Sequence, residues 1–175
     1  MNTLDAIKNR HSTRAYQPIA IPEEALEIIL RAGSAAPVAM AKYDSLHITV
    51  IQSKDVIKQI NDATSDMFFR RMGVRKNTDF GAGTLLLVST STGMLPPEMT
   101  YANVGIVMEN MILAATSLGI DSVILGGAPA VVAQNADLMK ALDLPVGFTP
   151  VLGAALGYAV TKEPPKEHVI AVNRI

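Results

Sequence analysis

Hydrophobic residues recur along this chain in one long run and several short ones. The long run, residues 101–118, sets Val104, Ile106, Val107, Met108, Met111, Ile112, Leu113 and Leu118 on more than one side of a helix. The pattern predicts a helix from about Thr100 to Leu118, stopped at Gly119, where a left-handed residue can close the last turn. A helix that is apolar all round is buried all round, in a large core, a membrane or a subunit interface. Glu109 and Asn110 at its middle, with Asn103, Thr116 and Ser117 interrupting it, argue against a membrane span. A chain of 175 residues is small to hide such a helix alone, so the expectation is the core of a homodimer.

The shorter runs predict strands at 46–51, 84–90, 121–125 and 149–160. The stretch 84–90 (TLLLVST) is continuously apolar, as an interior strand covered on both faces requires. Helices are expected at 4–10, capped by Thr3 with Leu4 and Ile7 inward, and from Pro22 to Gly33, with Glu23 and Glu24 near its positive end. Ser53 can cap a helix over about 54–65, and 130–142 suits one or two short helices. Residues 67–79, with Arg70, Arg71, Arg75 and Lys76, read as irregular, either a flap over a site or a solvated loop. The tail 161–175 turns β-like at 168–172 and is expected to reach another subunit.

Composition narrows the class. A hydrophobic content of 49% against 18% charged residues fits an ordered globular chain, expected to form one domain over 1–175. The net charge of −1 gives no electrostatic case for nucleic acid or an anionic membrane. The absence of cysteine excludes disulfides, thiolate metal sites and a cysteine nucleophile, and three scattered histidines form no metal motif. The start MNTLDAIKNRHS has no apolar signal core, so a cytoplasmic location is expected.

Chemistry concentrates at Arg10-His11-Ser12-Thr13-Arg14-Ala15-Tyr16. Two guanidinium groups with hydroxyls between them suit a phosphate, although short basic turns of this kind are commonly no more than solvated surface. The small residues of 33–41 would let a flat ligand approach the backbone, or serve tight packing. Gly126-Gly127 reads as a strand-ending turn.

Five segments together resemble the FMN-dependent nitroreductase family. They are RHSTRAY (10–16), AAP (35–37), FGAGTLLLVST (80–90), ENMILAATSLGIDSVILGG (109–127) and LGAALGYA (152–159), and they occur in the family's order over most of the chain. The resemblance implies an α+β fold, a mixed β-sheet flanked by helices, in an intertwined homodimer with the long central helix buried and two flavin sites at the interface. It implies that Arg10, His11, Ser12 and Arg14 contact FMN, the arginines at its phosphate. Pro37, Val38 and Ala39 would line the isoalloxazine, while Gly126 and Gly127, with Leu125 before them, would stand near flavin N5. Lys166 or Arg174 would assist at the phosphate.

This chain departs from the family pattern at Val38 (serine in many relatives), Ala41 (asparagine), Tyr43 (glutamine) and Gly126 (an acidic residue in some). It is also short, without the longer helical excursion that covers the site in some members, which implies an open cleft. The activity implied is hydride transfer from NADH or NADPH through flavin N5 to a small electron-poor acceptor such as a nitroaromatic or quinone, with no catalytic side chain. His11 and His47 are read as structural. Two rival readings are a flavin-binding or storage dimer with little turnover, and a cofactor-free helical dimerisation domain.

Overall fold

The apolar run after Gly83 becomes the centre of the molecule. In the computed structural model, which describes residues 1–91, 93–165 and 168–175, it forms β2 (Thr84–Ser91). β1 (Leu46–Ile51) lies on one side of it and β4 (Phe148–Gly157) on the other, with β3 (Asp121–Leu125) beyond β4, giving the order β1-β2-β4-β3. All three pairings are antiparallel, and an isolated Ser12–Ser122 bridge supplies a parallel contact beyond β3.

Side chains alternate across a strand, so one continuous apolar run feeds two cores. Leu86 and Val88 point into a cluster with Leu26, Ile29, Met108, Met111 and Ile112. These come from α2 (Glu23–Ser34) and α4 (Pro97–Ser117). Leu85 and Leu87 point the other way, to Ile57, Ile60, Val132 and Leu138. Those belong to α3 (Lys54–Met72), α5 (Gly127–Ala133) and α6 (Ala136–Leu142). The α+β reading holds, as two helical layers enclosing the sheet.

Several boundaries differ from expectation for local reasons. α4 begins at Pro97 rather than Thr100, since proline lacks the N–H that the first turn would leave unpaired. α2 runs past Gly33 to Ser34, because that glycine serves helix packing: a Cβ there would stand 2.8 Å from Met111 Cγ. α3 continues to Met72, absorbing the first part of 67–79, and Gly73 closes it at φ 71°. The remainder is tied down by Asn61, whose Oδ1 accepts from the Thr78 N–H at 2.7 Å and the Thr78 hydroxyl at 3.0 Å. β4 starts at Phe148 and ends at Gly157, three residues short of the expected end.

Two expectations, for α1 and for the tail, are corrected on burial, and α4 is as open on one side as a chain too small to hide it implies. In α1 (Thr3–Asn9), capped by Asn2 rather than Thr3, Ala6 is buried while Leu4 and Ile7 are 77% and 52% exposed. α4 is not enclosed within one chain: Val104, Val107, Met108, Met111 and Ile112 are buried, but Tyr101 is 62% exposed and Ile106 and Leu118 are also open. The tail forms no strand among its described residues, and Val169, Ile170 and Val172 are exposed. A strand needs a ladder partner, and among the described residues the tail meets none. Among the described residues no helix is long and apolar enough to cross a membrane.

Candidate functional site

The segment 10–16 is stitched to the open side of β3. The Thr13 N–H donates to the Ser122 carbonyl at 3.0 Å, and the Val160 N–H to Ala15 O at 3.0 Å. Tyr16 is the anchor, 7% exposed, its hydroxyl donating to Ala155 O at 3.1 Å. Burial, reinforced by the charge of Asp121 and opposed by Arg14, holds its phenol well above the ordinary tyrosine range. Gln17 adds a side-chain bond to Ala159 O at 2.7 Å.

This stitching turns the reactive side chains outward. Ser12 and Arg14 are exposed, and Arg14 Nη1 donates to Ser12 O at 3.2 Å. Arg10, half-buried, caps α1. His11 is committed within the segment. Its Nδ1 lies 3.0 Å from Asn9 O, which can only accept, so Nδ1 carries the proton. In the neutral ring Nε2 then accepts from the Thr13 hydroxyl at 3.1 Å.

β3 carries the chain from Ser122, beside this segment, to Leu125 and the two glycines. Arg14 therefore shares a cleft with Leu125, Gly126 and Gly127, walled by Thr64, Phe68, Thr78 and Phe80 and enclosing about 180 Å³. Phe80 holds φ 57°, unusual for an aromatic residue, while its N–H is held by Asn77 and its carbonyl accepts from the Tyr16 N–H. A Cβ at Gly126 would meet no atom within 4 Å, so a flat ligand has open access to that backbone. A second cleft of about 760 Å³ shares Phe68, Gly126 and Gly127 and runs along the last turns of α3 past Arg70 and Arg71.

Pro37, Val38 and Ala39 do not join either cleft in their own chain. Val38 packs into the core between the sheet and α2/α4, and the Ala39 N–H donates to Asn103 Oδ1 at 2.9 Å. The following Met40 and Ala41 both have left-handed backbone, φ 56° and 52°. The Tyr43 hydroxyl is spent on Ala36 O at 3.0 Å. Arg174 is exposed in the tail, and Lys166 lies outside the described residues. His47 sits within β1, its ring edge-on to Phe148 at 6.0 Å.

Sequence reasoning missed Phe68, Phe80 and Asn103. The first two lay in stretches with no periodicity, and Asn103 looked like a mere interruption of an apolar helix. Asn103 is 1% exposed, with Oδ1 on Ala39 and Nδ2 unpartnered, so it pins the 37–39 segment to α4. Among the described residues no cluster of histidine and carboxylate side chains could hold a metal.

A model of the nitroreductase family matches residues 7–158. The chain belongs to the nitroreductase family. Among its relatives is a protein of Archaeoglobus fulgidus whose provisional name couples NADH dehydrogenase with NAD(P)H nitroreductase. It is 28% identical over 155 residues, covering 89% of this chain and 84% of the relative. A nitroreductase from Bacteroides fragilis NCTC 9343, solved with bound FMN, aligns at TM-score 0.81 and 28% identity, over 100% of this chain and 97% of that one. The FMN-dependent nitroreductase of Clostridium difficile R20291 aligns at TM-score 0.85 and 24% identity, over 99% of this chain and 98% of its own length. The fold named by these neighbours is the one described above.

Proposed function

We propose that this protein is an FMN-dependent oxidoreductase that passes two electrons from NADH or NADPH to a small electron-poor acceptor, a nitroaromatic or a quinone. The observation that carries the reading is the meeting of Arg14 with Leu125-Gly126-Gly127 in one cleft. That cleft combines an exposed guanidinium, with only one of its donors bonded within the segment, for a phosphate, with a bare backbone edge for a flat ring. Bound FMN would supply hydride acceptance and donation at N5, the chemistry the side chains lack. Arg10 and Arg14, aided by Ser12, would hold the phosphate. The Gly126 and Gly127 N–H groups, fixed by the end of β3, would stabilise the charge that reduction builds along the ring edge. His11 holds the segment in shape, both its nitrogens being engaged within it.

Pro37, Val38 and Ala39 would line the ring from a second copy of the chain, since in their own copy Val38 packs against α2 and α4, Ala39 is bonded to Asn103 and Pro37 is exposed. The exposed apolar residues of α1 and α4 (Leu4, Ile7, Tyr101, Ile106) are the surface on which we place that homodimer, which we assign to the cytoplasm as a single-domain protein. The tail, with Arg174 and Lys166, would cross to the partner and gain there the ladder that its described residues lack.

An anaerobic titration tests the reading. Purified protein should be yellow or take up FMN, bleach with NADH or NADPH, and regain colour when a quinone is added. Colourless protein that ignores FMN would sink it. A second reading, flavin binding with little turnover, draws on Val38 and Ala41 offering the ring no polar side chain and Tyr43 being engaged with Ala36. Yellow protein that neither donor bleaches would favour it.

A further inference from the structure

The larger cleft has features that flavin binding does not use. One wall is the final stretch of α3, with Asp66, Met67, Arg70 and Arg71; the other is Ala130, Val131, Gln134 and Asn135. It shares Phe68, Gly126 and Gly127 with the smaller cleft, and Arg14 lines only the smaller one. Its charge balance is one-sided. Asp66 is ion-paired with Arg75, which also lies over the Phe69 ring, so its charge is answered. Arg70 and Arg71 make no salt bridge among the described residues and are exposed. The carboxyl end of α3 contributes about half a negative elementary charge. Two unpaired guanidinium groups outweigh it, leaving a groove that favours an anion. Asn135 accepts the Asp137 and Leu138 N–H groups with its side-chain oxygen, so the donor end of its amide is what remains for a ligand. Met67, Ala130 and Val131 give the groove an apolar lining beside these donors.

We infer that this groove binds the diphosphate and adenosine portion of the nicotinamide dinucleotide, with Arg70 and Arg71 gripping the diphosphate and the nicotinamide lying at the Gly126-Gly127 mouth. The assignment rests on the reading proposed above for the glycine mouth. A diphosphate offers several acceptor oxygens to paired guanidinium forks, and a flat base suits a methionine- and valine-lined wall. Arg70 and Arg71 then determine which hydride donors the protein uses, and take no part in holding FMN.

The test uses the holoprotein and the Arg70→Glu/Arg71→Glu variant. ADP-ribose, which has the diphosphate and adenosine but no nicotinamide, is titrated calorimetrically. It should bind the parent and lose roughly tenfold or more of its affinity in the variant, as loss of charged hydrogen-bond partners implies. In turnover, KM for NADH and NADPH should rise by a similar factor. The neutral donor 1-benzyl-1,4-dihydronicotinamide should be used equally well by both proteins. ADP-ribose that fails to bind the parent overturns the inference, as does a variant that loses FMN or loses the neutral donor to the same degree. A parent that binds ADP-ribose through these arginines but is bleached by no donor, the neutral one included, would retain the groove and remove the oxidoreductase reading instead.

Discussion

Replacing Gly157 by alanine probes how the 10–16 segment is held. An ideal Cβ there would stand 2.9 Å from Tyr16 Cδ1, 3.3 Å from Cγ and 3.5 Å from Cβ. Ordinary carbon contacts begin near 3.4 Å, so the ring must retreat by about half an ångström. It has little room, being buried against Ala82, Leu85, Val123 and Ala155 and held at its hydroxyl by Ala155 O. Overpacking of this kind costs about 1–3 kcal/mol, and loss of the hydroxyl bond would add about 1 kcal/mol. A net loss of about 2 kcal/mol lowers Tm by roughly 4–8 °C in a chain of this size. The assay is thermal unfolding at fixed protein concentration, with FMN affinity measured in parallel, because Arg14 lies two residues before the displaced ring. Gly83→Ala is the control: its Cβ meets nothing within 4 Å, and it should shift stability by under about 1 kcal/mol, upward. A Gly157→Ala protein that melts within about 1 °C of the parent would refute the packing argument.

Arg10→Ala and Arg14→Ala should each weaken FMN binding by roughly 1.5–3 kcal/mol, read by fluorescence titration of the apoprotein; unchanged affinity in both would remove the phosphate assignment. Tyr16 predicts an alkaline loss of stability. Below about pH 10 the phenol is neutral in both states; above it the unfolded chain ionises first, so stability falls with pH by up to about 1.4 kcal/mol per unit. Urea unfolding of parent and Tyr16→Phe across that range should show the steeper fall in the parent only; parallel curves would contradict it. Asn103→Ala leaves the Ala39 N–H without its partner and should cost about 1–3 kcal/mol in denaturant unfolding. An unaltered midpoint would mean that water or a backbone shift replaces the bond.

Patterning along the chain was enough to find the sheet strands and the long helix, because each is set by local periodicity; the two glycines after β3, read as a turn, instead open α5, with Gly126 as its N-cap at φ −88°. TLLLVST could be read as doubly covered since strand geometry divides any continuous apolar run between two faces. The segment 10–16 was equally visible as chemistry, since its residue types alone suit an anion. Which groups meet was another matter. Arg14 and Gly126 are far apart in sequence, and only the lacing of Thr13 to Ser122 along β3 brings them to one cleft. Pro37 to Ala39 looked adjacent to that site by resemblance, yet Val38 is packed against α4 and Ala39 is bonded to Asn103, on the other side of their own sheet. Leu4 and Ile7 looked inward by hydrophobicity but face out, because a helix's apolar side declares only that it wants a partner, and the packing of Ala6 decides which side that partner can approach. Local sequence sets the elements through short-range sterics and periodicity; contacts between elements distant in the chain depend on how whole layers stack, and that is decided only in the folded molecule.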